Sequence, residues 1–148
     1  MGSIDTFFKY WFRGLENGLL KLDQEARQRI FAECGKACSD SCTREIYQKL
    51  WELTGNFHDF FVRLDEDNEE IFVKEIEENR SYEISYRKCL CDLYVQGYLS
   101  TGHLCECSRQ SLIYNLSTIA NEHVIDVERK ESILNGGKEC KFVISIFD

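Results

Sequence analysis

VIDVERKESILNGGKECKFVISIF, residues 124–147, is the stretch that decides the fold. Asn135-Gly136-Gly137 is the strongest turn signal in the chain, because a tight reversal between antiparallel strands needs residues that accept positive φ. Beyond it, Cys140, Phe142, Ile144 and Ile146 fall on one face by the two-residue period of a strand. Residues 139–147 are therefore expected to form a half-buried strand, paired as a hairpin with 124–134.

Working outward, Ser108 reads as the cap of a helix that carries Leu112, Leu116, Ile119 and Ala120 on one side. A connection containing Gly97 and Gly102 precedes it. Before that, Ile71–Ile76 and Ser81–Arg87, with Tyr82, Ile84 and Tyr86 alternating, predict a first hairpin turning about Asn79. The N-terminal half reads as helices. Ile4, Phe7, Phe8, Trp11, Leu15 and Leu19 recur at helical spacing after Ser3, and Asp23 caps a second helix with Ala26, Ile30, Cys34 and Cys38 on one stripe. Asp40 or Ser41 is expected to restart a third, with Ile46, Tyr47, Leu50 and Trp51, closed by Gly55. Phe57, Phe60, Phe61 and Leu64 make a short fourth. The expected fold is α+β, a single domain over 1–148: N-terminal helices packed on an antiparallel sheet of about four strands, with one helix between two hairpins.

With 148 residues the chain is large enough to bury a core without disulfide staples. It opens without the pattern of a secretion signal, and no stretch approaches the apolar length of a membrane span. A cytoplasmic setting follows as the expectation, with its cysteines reduced. The 26 acidic against 18 basic residues give a net charge of −8, which repels phosphate backbones and anionic lipid alike. No nucleic acid and no membrane is expected as a partner.

Eight cysteines carry the chemistry. Cys34, Cys38 and Cys42 stand four apart, a spacing that puts side chains on one helical face, close enough for one ion or a redox pair. Gly35 beside them costs a helix stability unless close approach requires it. Cys89 with Cys91 and Cys105 with Cys107 are separated by one residue, so each pair projects to one side of an extended chain. Together they could supply the four sulfurs of a tetrahedral zinc or iron site, although the usual knuckle spaces its ligands by two to four residues. Three readings stay open: a metal site, redox or nucleophilic thiols, and plain packing of small apolar side chains. Cys105 and Cys107 are expected just before a helix start and beside Arg109, both of which lower a thiol pKa, while Glu106 acts the other way. His103 is the histidine that could serve them as base or ligand. Tyr86, Tyr94 and Tyr98 interleave with the cysteines and could line an amphipathic pocket.

The second half, from Cys89-Leu90-Cys91 and Cys105-Glu106-Cys107-Ser108 to Val124-Ile125-Asp126-Val127-Glu128, Ser132-Ile133-Leu134-Asn135-Gly136-Gly137 and Cys140-Lys141-Phe142, resembles the 4-vinyl reductase-like small-molecule-binding domains. Cys34-Gly35-Lys36-Ala37-Cys38 is similar to the Cys-Gly motif of related uncharacterised bacterial families. The Gly-Gly turn before Cys-x-Phe also resembles the end of L-2-amino-thiazoline-4-carboxylate hydrolase-like proteins. The resemblance implies helices on an antiparallel sheet, a relationship to the Bet-type subunits of the vesicle-tethering complex, and frequent dimerisation. It further implies binding of hydrophobic ligands, haem-like groups or metals, and cysteines that sense redox state. The matching cysteines are Cys34, Cys38, Cys89, Cys91, Cys105, Cys107 and Cys140, with Cys42 an extra.

The expectation is a stand-alone ligand- or metal-binding domain whose cysteine cluster is the site, taking zinc or iron or a small hydrophobic or sulfur-containing ligand, responsive to redox state and acting as a homodimer. One alternative is a cysteine-dependent hydrolase of a sulfur-containing ring or amide, with Cys105 or Cys107 attacking and His103 moving the proton. Another is a structural dimer module built on the aromatic first helix.

Overall fold

The structure, a computed structural model, describes residues 3–87, 91–100, 105–131, 136–137 and 139–148. Ser3 opens α1 (Ile4–Leu20), its hydroxyl accepting the Thr6 amide at 3.1 Å, and the Asp23 carboxylate accepts the Ala26 amide at 2.8 Å to open α2 (Gln24–Cys38). Both side chains satisfy amides that a first helical turn leaves without acceptors. The break expected at Asp40 or Ser41 does not occur. The chain runs on through one π-helical turn, Ser39–Thr43, into α3 (Arg44–Thr54). Ser41 donates back to the Cys38 carbonyl at 2.6 Å, and its neighbours bond sideways instead of capping. Ser39 meets Ser111 hydroxyl to hydroxyl at 2.6 Å, and the Tyr114 hydroxyl donates to Asp40 at 2.8 Å; both partners lie on α6 (Cys105–Ile119). Gly55 ends α3 at φ +72°, and Asn56 caps α4 (Phe57–Glu66) by accepting the Asp59 amide at 2.9 Å.

Four strands form one antiparallel sheet in the order β1-β2-β4-β3: β1 (Ile71–Glu77), β2 (Ser81–Tyr86), β3 (Val124–Glu131) and β4 (Cys140–Phe147). Asn79 turns the first hairpin with φ 59°, and Gly136, between β3 and β4, has φ 90°, while residues 132–135, including Asn135, lie outside the described residues. A short helix, α5 (Asp92–Val95), and α6 connect the hairpins. Cys140, Phe142, Ile144 and Ile146 are all buried, as the strand period requires. They join Phe60, Phe61 and Leu64 of α4 and Leu112 and Leu116 of α6 in the main core. Phe61 stacks on Tyr82 with ring centroids 4.2 Å apart. Each such side chain, fully buried, contributes about 1.5–3 kcal/mol.

α2 meets α6 on a face that hydropathy does not mark. Its buried residues are Phe31 and Gly35, continued by Ser39, whereas Cys34 and Cys38 of the expected apolar stripe are exposed. Gly35 is the reason. A Cβ there would lie 2.8 Å from the Cys107 carbonyl oxygen, 2.9 Å from the Ser111 nitrogen and 3.0 Å from Gln110 Cβ, so the two backbones touch where no side chain fits. Asn115 extends the seam by donating to Thr43 Oγ1 at 3.1 Å.

α1 lies apart from the main core. It joins a second, smaller cluster of Leu19, Phe31 and Leu99, flanked by Phe12, Cys91, Leu93 and Cys107. Phe7, Trp11 and Leu15, expected to be buried against the sheet or against a second subunit, are 61%, 54% and 39% exposed, so α1 does not bury them on the sheet. Among the described residues, no helix is long and apolar enough to cross a membrane.

Gly35→Ala should lower stability by about 1–3 kcal/mol, because the added methyl meets backbone that cannot swing aside. In an open helix the same change would raise stability by up to about 1 kcal/mol. Denaturant unfolding reads the sign: a gain on Gly35→Ala would show that the helices do not touch there.

Candidate functional site

Cys34, Cys38, Cys42, Cys91 and Cys107 are free thiols, and the helix crossing sorts the seven described cysteines into groups. α6 begins at Cys105, three residues before the expected cap at Ser108, which sets Cys105 and Cys107 inside its first turn. With Gly35 pressed on the Cys107 carbonyl, Cys34 and Cys38 on either side of Gly35 come beside Cys107. Cys91, the residue before α5, completes the group from a third segment.

Electrostatics report this convergence. Burial first, then the neighbouring Cys38, Cys34, Cys91 and Cys105, push the Cys107 thiol up to about 12. Cys38 is raised by burial and then by Cys91, Asp92 and Cys42. Cys34 is raised by burial and by Glu33. The expected lowering at the start of α6 does not prevail for Cys107. Arg109, the positive neighbour that was to favour thiolate, is held by Glu106 at 2.7 Å and donates to the Val127 carbonyl at 2.9 Å, so its charge is largely cancelled. A helix terminus supplies about 0.3–1 kcal/mol, less than one pKa unit, while full burial can move a thiol by several.

The remaining expected site residues divide. Cys105 is buried in the first turn of α6. Cys140 belongs to the main core, opposite Tyr86 in the β2–β4 register, and so stands apart from the cluster that Cys91 and Cys107 flank. Tyr86 faces inward: burial and the neighbouring Tyr47 and Cys140 hold its hydroxyl well above its usual range. Tyr94 is exposed, and Tyr98 donates to Asp5 at 2.9 Å and stacks on Phe12, tying α1 to the 91–100 segment. The three tyrosines therefore do not line one pocket. Cys89 and His103 lie outside the described residues. His58 is bonded to Glu75 at 2.7 Å and His123 packs on Phe57, both away from the thiols.

Among the described residues, no three His, Cys, Asp or Glu side chains stand together closely enough to hold a metal ion as they are. A shallow cavity of about 260 Å³ between α4 and the sheet, lined by His58, Phe61, Val73, Glu75 and Tyr82, contains none of the cysteines. The thiols thus interact through charge across a partly exposed surface, without a preformed cage. Asp92, missed in the sequence, sits close enough to Cys38 to act on it, and its place directly after Cys91 was the available signal.

No family model and no curated protein matches the chain. Among solved structures it is similar to a trafficking protein particle complex subunit 3 from Naegleria fowleri covalently bound to palmitic acid, with 12% sequence identity and a TM-score of 0.49 over 97% of this chain and 95% of that one.

Exposure and pKa together reverse the reactivity order expected from the sequence. Limiting alkylation at neutral pH, mapped by mass, should modify the exposed Cys34, Cys38 and Cys42 before Cys105, Cys107 and Cys140. Faster labelling of Cys107 than of Cys34 would contradict the burial described here.

Proposed function

We propose that this chain is a metal-binding domain whose ligands are Cys34, Cys38, Cys91 and Cys107, and whose metal is a soft divalent ion, zinc or ferrous iron. The observation that carries the reading is the convergence of thiols from three separate segments on Cys107, whose proton is held first by burial and then by the neighbouring Cys38, Cys34 and Cys91. Thiolates repel one another when brought together, which helps to hold the protons of Cys38 and Cys107. A cation among them inverts that balance: it removes the repulsion and favours the deprotonated forms. Thiolate is also the ligand type that selects zinc and iron over hard cations. Zinc–sulfur bonds of about 2.3 Å require the thiols to draw closer than they stand without metal. Cys34 and Cys38 are exposed, and Cys91 lies in a connection outside the main core, so the movement does not disturb that core. The same reading takes the chain to act as a homodimer.

Cobalt(II), a spectroscopic stand-in for zinc, tests this on the fully reduced protein. One equivalent should produce thiolate-to-metal absorption, and zinc should displace it. Cys38→Ser and Cys107→Ser should each weaken binding by about tenfold or more, a cost of 1.4 kcal/mol, whereas Cys140→Ser should not. Because every ligand thiol must lose its proton, affinity should rise with pH, approaching about tenfold per unit for each proton displaced. Absence of thiolate absorption, or affinity independent of pH, would overturn the proposal.

A further inference from the structure

The exposed face of α1 combines two features that fit each other. On one flank, Phe12 and Leu19 enter the small second cluster, and Asp5 and Glu16 bond Tyr98 and Ser100, so this side faces the body of the protein. The other flank is exposed: Ile4 is 75%, Phe7 61%, Trp11 54% and Leu15 39% exposed, with the Phe7 and Trp11 rings touching Phe8 and Phe12 of the same helix. On that same flank stand Gly14 and Gly18, where an added Cβ would meet nothing within 4 Å. At 3.6 residues per turn, Phe7, Trp11, Gly14 and Gly18 fall within about 60° of the helix circumference. Two aromatic rings one turn apart are thus followed by two glycines one turn apart, in one row.

We infer that this row is the contact surface between two copies of the chain, paired antiparallel along α1. In that arrangement Phe7 lies over Gly18 of the partner subunit and Trp11 over Gly14 of the partner subunit. Both pairs share one centre, midway between Phe12 and Arg13, as a two-fold axis demands. A two-fold interface must be complementary to itself, and a row of knobs followed by matching notches satisfies this with a single helix. Glycine lets the ring of the other copy approach the backbone, and aromatic anchors seated in such notches are the residues on which interfaces depend most. The exposed parts of Ile4, Phe7, Trp11 and Leu15 together amount to roughly 500 Å² on each copy, or about 1,000 Å² for a pair, which reaches the lower bound for a specific interface. A lipid surface is the poorer occupant, since the chain carries net −8 and α1 itself places Asp5 and Glu16 beside Lys9 and Arg13. The inference rests on the homodimer reading above and names its surface.

Sedimentation velocity from low to high micromolar concentration is the test, on reduced wild-type protein, Trp11→Ala and the double variant G14Q/G18Q. Wild type should dimerise. Both variants should weaken the dimer by about tenfold or more. The double variant should keep or raise its thermal midpoint when monomeric, because both Cβ positions are open and glycine disfavours a helix. That opposite sign separates a lost interface from a misfolded chain. A wild-type protein that stays monomeric overturns the homodimer reading and this surface together, and binding of that monomer to phosphatidylcholine vesicles with a shifted Trp11 emission would assign the row to lipid. A dimer untouched by either variant overturns the surface alone.

Discussion

At Gly35 the backbones of α2 and α6 come so close that one methyl group would sit 2.8 Å from the Cys107 carbonyl oxygen. The arrangement around the thiols depends on that contact. It is continued by hydrogen bonds rather than by apolar packing: Ser39 with Ser111, Asp40 with Tyr114 and Thr43 with Asn115. These pairs lie at positions 39, 40 and 43 of the π-helical turn that follows α2, and they hold the chain in helical backbone where a cap and a break would otherwise form. With the crossing fixed, the residues flanking Gly35 have no freedom to turn away. Cys34 and Cys38 must lie beside the first turn of α6, and the site is a consequence of the seam.

Charge then decides what the site can do. A thiol near a helix N-terminus is usually discussed as a nucleophile, and Cys107 occupies such a place. Its surroundings act more strongly in the other direction. Burial, together with the other thiols, holds its proton, and Glu106 holds the guanidinium that would have encouraged ionisation. Such a group is a poor attacking thiolate, and under the proposed reading a cation would relieve its crowding. This contrast favours metal binding over thiol catalysis on this chain's own residues.

Strands and helix ends were legible in the sequence because their signals are local. The alternation of Cys140, Phe142, Ile144 and Ile146 fixes one buried face, and Ser3, Asp23 and Gly55 act through hydrogen bonds or φ values set within a few residues. The α2 face was misread by roughly one residue's turn, since its contact uses Gly35 and Ser39, whose size matters and whose hydropathy says nothing. Gly35 itself was the available clue, as a costly glycine inside a helix is kept where something approaches. The continuous path from α2 to α3 was not legible either. Asp40 and Ser41 look like helix starters, and only the distant Ser111, Tyr114 and Asn115 draw that segment into an unbroken helix. Cys91 joining Cys38 likewise depends on a long-range contact that no spacing encodes.

Thiols far apart in sequence stand together in the reduced chain without metal. Treating the reduced, metal-free protein with one equivalent of a trivalent arsenical, which bridges only neighbouring thiols, and mapping the adducts by mass spectrometry tests this directly. Bridges should join the Cys34–Cys38 peptide to a peptide carrying Cys91 or Cys107. Adducts confined within single peptides, with no bridge from α2 to either of the other segments, would contradict it.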